Sequence, residues 1–130
     1  MIYISGKIGG STLEGIKAKF KKAEDELHAL GVKVNNPMKM GFTQSWTSKE
    51  VLEKRLDVIR TQASGIYLLR DWNEDLNARR EFAEVGHLNL KRSNKIMIYF
   101  ENAGGLHDVA IDIHDNVLKC LQSTELDIQK

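Results

Sequence analysis

A chain of 130 residues can close one hydrophobic core but not two. Its 42% hydrophobic and 28% charged residues are ordinary for a globular domain, and its apolar runs are far too short to span a bilayer. Lys+Arg 19 against Asp+Glu 18 leave a net charge of +1, so no global field points to nucleic acid or a membrane surface. The single cysteine, Cys120, excludes an intramolecular disulfide and fits a reducing compartment. "MIYISGKIGG" carries no signal-peptide pattern, so the expected location is the cytoplasm.

In chain order, "MIYIS" is β-rich and runs into the glycine loop "GKIGG". Ser11-Thr12-Leu13-Glu14 reads as a capping box, and Leu13, Ile16, Phe20, Ala23, Leu27 and Leu30 recur at helical spacing until Gly31 stops them. Lys17, Lys19, Lys21 and Lys22 fall mostly off that stripe and read as a solvated face. "VKV" (32–34) is a short strand, followed by the long loop "NNPMKMGFTQSW". Thr47 and Glu50 form a second capping box before a helix whose buried side is Val51, Leu52, Leu56 and Ile59. "GIYLL" (65–69) and "KIMIYF" (95–100) are strands, with the helix of "DWNEDLNARREFAEVGHLNL" between them. A last helix is expected over about Leu106–Leu121, with 123–130 as a frayed tail after a single domain of 1–122.

The β-α-β-α-β-α-β-α order predicts an α/β fold: a parallel sheet in a three-layer, flavodoxin-like or Rossmann-like α-β-α sandwich, with strand order near 2-1-3-4. Such sheets bind ligands at the carboxyl ends of their strands, where order reverses. That edge would gather Ser5–Gly10, Asn35–Trp46 and Arg70–Asn77. Trp46 and Trp72 lie in these loops and could pack into the fold or wall a pocket for a flat base. The small residues of "SGKIGGS" expose backbone N–H groups to a phosphate or sugar hydroxyl, or simply make a tight turn. They match neither a P-loop nor GxGxxG, which argues against P-loop phosphoryl transfer and classical NAD binding. The phosphate loop of a flavodoxin and the strand-3 aspartate of a receiver are missing too. His107 and His114 lack metal-ligand spacing and Cys120 lacks a histidine partner, so no metal is expected.

Glu81 is the anomaly. Ala78, Phe82, Val85 and Leu88 form an apolar helical stripe, and the same periodicity turns Glu81 toward it. A carboxylate there is either a structural acid bonded to tyrosine or arginine, or a catalytic group with a shifted pKa. The pattern leaves both open.

The ordered pieces "IYISGKIGG", "NNPMKM", "SWT", Asp57, "IYLLRDW" and "ARREFAEVG" span roughly residues 2–99. Together they resemble the nucleoside 2-deoxyribosyltransferase superfamily, and most closely its small DUF4406-type branch. The resemblance implies cleavage or transfer of the N-glycosidic bond of a (deoxy)nucleoside or nucleoside 5′-monophosphate, with no cofactor. It implies Glu81 as nucleophile, Asp75 as the base-binding or protonating acid, Asp57 as a sugar-contacting or acid–base group, and Tyr3 as orienter of the nucleophile. Ser5, Gly6, Lys7, Gly9, Gly10, Pro37, Trp46, Trp72 and Asn77 are the matching substrate-binding positions. A homodimer or higher homo-oligomer is implied as well. The chain departs from relatives at Ser64-Gly65, at Arg70 and Phe82, and at Leu76-Asn77. At the last pair, Leu76 is able to narrow the sugar site, and Asn77 to take a left-handed, glycine-like conformation. A rival reading is a catalytically weak nucleotide-binding module that senses or regulates.

Overall fold

A computed structural model describes residues 1–41 and 47–101. The expected last helix with His107, His114 and Cys120, the tail, and Trp46 lie outside these residues. The described elements are β1 (Ile2–Ser5), α1 (Leu13–Ala29), β2 (Val34–Asn35), α2 (Ser48–Gln62), β3 (Gly65–Leu68), α3 (Leu76–Lys91) and β4 (Met97–Phe100). The four strands form one parallel sheet in the order β2-β1-β3-β4, as the alternation of elements predicts.

Strand alternation sorts the core into two layers. Ile2 and Ile4 of β1, with Tyr67 and Leu69 around β3, pack on Ile16, Phe20, Ala23 and Leu27 of α1. Tyr3, Ile66, Leu68 and Ile98 point the other way, onto Leu52, Leu56 and Ile59 of α2 and Phe82 and Val85 of α3. The protein is therefore a three-layer sandwich with α1 on one face and α2 and α3 on the other.

Local chemistry sets the boundaries. Thr12, not Ser11, caps α1 by accepting the Gly15 N–H at 3.1 Å. Gly31 ends that helix at φ +78°, a conformation open to glycine without penalty. Thr47 caps α2 as expected, accepting the Glu50 N–H at 3.1 Å and bonding the Glu50 carboxylate at 3.0 Å. Thr47→Ala should lower stability by about 1 kcal/mol, read as a lower urea midpoint at unchanged slope.

β2 is shifted from the expected 32–34 to Val34–Asn35, because its pairing with β1 matches Ile2 to Val34 and Tyr3 to Asn35. A single 3₁₀ turn, Pro37–Lys39, follows at once, with Asn36 accepting the Met38 N–H. β4 is likewise shorter than 95–100. Lys19 departs from the solvated-lysine reading: it is half-buried and bonded to Asp71, whereas Lys17, Lys21 and Lys22 are exposed.

Candidate active site

Glu81 is the sixth residue of α3, one and a half turns beyond the cap that Asp75 provides by accepting the Ala78 N–H at 2.9 Å. Its neighbours Ala78, Phe82 and Val85 are buried on the sheet, and Glu81 itself has 0% exposure. A charge in that position needs a partner. Arg55 of α2 supplies it, donating from Nη2 to Glu81 Oε1 at 2.8 Å. The same guanidinium donates from Nε to the Tyr3 hydroxyl at 2.9 Å. The Tyr3 hydroxyl also lies close enough to the Glu81 carboxylate for each to shift the other's titration. Three elements, β1, α2 and α3, thus converge on one buried polar triad.

The electrostatics follow from burial. Desolvation pushes the Glu81 carboxyl up to about 7, against the positive charge of Arg55 and the nearby Tyr3 hydroxyl, and the charge of Asp75 adds to the rise. Burial and the Glu81 charge hold the Tyr3 phenol well above its usual range, so it remains a proton donor. Arg55 stays cationic: burial works against its charge, but Glu81 and Tyr3 outweigh it.

This gives a pH test with a definite sign. Between an ordinary glutamate value of 4.5 and about 7, the folded chain holds a proton on Glu81 that the unfolded chain has released. Stability should therefore fall as pH rises through that window, by up to about 3 kcal/mol, and level off above it. Urea unfolding at pH 5 and pH 8 would reveal the loss, and Glu81→Gln should flatten it.

Three buried oxygens have no hydrogen-bond partner among the described residues: Ser5 Oγ, Asn35 Oδ1 and Glu81 Oε2. Asn35 pairs with Tyr3, and Ser5 lies two residues beyond Tyr3 on the same strand. Strand periodicity therefore puts both side chains on the Tyr3 face of the sheet, the face that α2 and α3 cover, toward the strands' carboxyl ends. Unpartnered buried oxygens are uncommon in folded proteins, and a cluster on one face suits the hydroxyls of a ligand.

The other residues fall as follows. Asp57 lies on the exposed side of α2 and stays apart from the triad, whereas Arg55, two positions earlier, reaches it. Asp75 is half-buried, close enough for its charge to act on Glu81 and Arg55. Gly6 sits where an added Cβ would lie 2.6 Å from Leu69 Cδ1, so the loop passes hard against the end of β3. Gly10 takes φ +71°, Gly9 is half-buried and Lys7 bonds to Asp71 through its backbone N–H at 3.0 Å. Pro37 is buried in its 3₁₀ turn. Trp72 packs on Phe82, with ring centroids 4.8 Å apart, and on Phe100 at 6.2 Å.

Of the pair Leu76-Asn77, Leu76 is 60% exposed, and Asn77 is a helical residue of α3. The left-handed Asn77 is therefore corrected: the Asp75 cap already starts the helix, and every described residue with positive φ is a glycine.

Arg55 is the member of the buried triad that sequence reasoning missed. It lies three residues after Leu52 and four before Ile59, so it falls on the core stripe of α2 as Glu81 does on that of α3. Opposite charges aimed into one core from two helices have only each other to pair with, and that signal was present. Elsewhere, ligand atoms of Glu24, Asp25 and His28 on α1 lie within 4.8 Å of one another. Lys39 already holds Glu24 at 2.6 Å and Lys21 holds Asp25 at 2.7 Å. No helix among the described residues is long and apolar enough to cross a membrane.

Searches of curated proteins and of solved structures return no match. Residues 1–92, which carry the glycine loop, the Tyr3–Arg55–Glu81 triad and α3, match the family described as a domain of unknown function, DUF4406, and the chain belongs to that family.

Proposed function

We propose that the protein breaks the N-glycosidic bond of a (deoxy)nucleoside or nucleoside 5′-monophosphate and passes the sugar to water or to another base, as the resemblance to nucleoside 2-deoxyribosyltransferases suggests. The observation that carries this reading is the state of Glu81: one carboxylate oxygen clamped by Arg55, the other without a partner among the described residues, and a pKa raised to about 7. A fixed carboxylate with one free oxygen and a titration near neutrality is equipped for nucleophilic work.

In this mechanism Glu81 Oε2 attacks the anomeric carbon as its bond to the base nitrogen breaks through an oxocarbenium-like state. The bonding electrons leave with the base, which is protonated by a water held at the Asp75 carboxylate, and the proton lost by the incoming water or base in the second step restores that water. Water or a second base then displaces Glu81 from the glycosyl ester, and the two inversions retain configuration. Arg55 and Tyr3 hold the carboxylate in place, and Ser5 and Asn35 accept sugar hydroxyls. Asp57 faces solvent on α2, outside the buried triad, and keeps the sugar-contacting role that the resemblance gives it. The residues named perform this chemistry without a cofactor. The single cysteine favours the cytoplasm as the place of action, and the resemblance favours a homo-oligomer.

The test is a panel of deoxynucleosides, ribonucleosides and their 5′-monophosphates, with released base followed by chromatography. Turnover or base exchange supports the proposal. Ligand-dependent stabilisation with no base release would instead favour a nucleotide-binding module. The complete burial of Glu81 beside Arg55 speaks for that second reading, since a buried ion pair can serve the fold alone.

A further inference from the structure

The glycine loop after β1 gathers positive charge and backbone donors, yet they already serve an anion belonging to the chain. The Lys7 N–H donates to Asp71 Oδ1 at 3.0 Å, and Lys19 Nζ donates to Asp71 Oδ2 at 2.6 Å. Lys19 Nζ is also fixed to the Lys7 carbonyl at 2.7 Å, so its ammonium is tied to the loop independently of Asp71. The Lys7 ammonium folds back over Gly10, where an added Cβ would lie 3.3 Å from Nζ. One ammonium and a backbone N–H therefore converge on the Asp71 carboxylate, with the Lys7 ammonium held over the same loop, as donors would on a phosphate.

We infer that Asp71 is a built-in occupant of this anion site and turns away a terminal phosphate, making Asp71 the residue that selects an uncharged 5′-hydroxyl over a 5′-phosphate. The selection of a nucleoside over its monophosphate rests on the function proposed above; the occupancy of the anion site does not. A phosphate entering the loop meets the Asp71 charge and must compete for donors that Asp71 already holds at full hydrogen-bond distance. Although burial opposes its ionisation, the Lys19 and Lys7 hydrogen bonds keep the Asp71 carboxyl below its ordinary range, so it is charged at neutral pH. Once Asp71 is shortened, Lys19 remains anchored to the Lys7 carbonyl, and the donors are left facing an open position.

Thermal unfolding with about 10 mM inorganic phosphate, against chloride at matched ionic strength, tests this directly. Wild type should show no phosphate-specific shift, Asp71→Ala a rise of roughly 2–4 °C, and Asp71→Ala/Lys19→Ala none. Asp71→Asn, which keeps an acceptor for the Lys7 N–H, should shift in the same direction and covers the case that the alanine variant does not fold. With substrates, the ratio of kcat/KM for a monophosphate to that for its nucleoside should rise about tenfold or more in Asp71→Ala. A wild type stabilised by phosphate as much as the variants, or folded variants with no phosphate-specific shift, would overturn the inference. Should neither protein release base from either substrate, the proposed function fails, while the phosphate titration still decides whether Asp71 fills an anion site.

Discussion

Glu81→Gln should lower N-glycosidic turnover by about 10³-fold or more while the protein stays folded. Glutamine has the shape of glutamate and an oxygen that can still accept from Arg55, so the triad keeps its geometry. It cannot form the glycosyl ester that a carboxylate forms. Near pH 7 the wild-type carboxyl is itself about half protonated, so a neutral side chain at this position is already compatible with the fold. Wild type stopped in mid-turnover should carry the mass of one sugar, and the variant should not. Turnover within tenfold of wild type would remove Glu81 from the role of nucleophile.

The second large effect is on stability. Arg55→Met should cost about 3–5 kcal/mol above pH 7, because it leaves the Glu81 charge buried without its cation. The Arg55 charge holds the Glu81 carboxyl down, so its removal should drive that carboxyl above about 7. The loss should shrink at pH 5, where Glu81 is protonated in both proteins. Adding Glu81→Leu should restore much of the stability, since an apolar pair of suitable size often replaces a buried ion pair without penalty. Denaturant unfolding of the four proteins closes a double-mutant cycle. A coupling below about 0.5 kcal/mol would show that the contact contributes little.

Much of the sheet was legible in the sequence, because each strand is an apolar run and each helix a periodic one. "IYIS" and "GIYL" are buried on both faces, and the stripes of α1 and α3 predict the residues that meet them. β2 was misplaced because two residues carry no period, and only its register against β1 fixes it. The capping box of α1 reads with Ser11 as the capping hydroxyl, one residue early, because its neighbour Thr12 offers the same chemistry and the backbone places Thr12 at the cap. At the site, Glu81 stood out because its charge broke an apolar stripe. Arg55 broke one in the same way but was passed over, and its contacts with Tyr3 and Glu81 depend on three elements distant in sequence. Asp71 could not be read from spacing at all, since its partners Lys7 and Lys19 lie 64 and 52 residues away.

The brevity of β2 also bears on the edge of the sheet. A sheet edge invites another chain to add a strand when it offers a long, regular row of free N–H and C=O groups. Among the described residues the edge strand beside β1 is two residues long, and the chain leaves it for a 3₁₀ turn that starts with a proline, which has no N–H to give. An incoming strand finds almost no ladder to extend on that side. Among the described residues the β2 side therefore offers little ladder for strand exchange between copies.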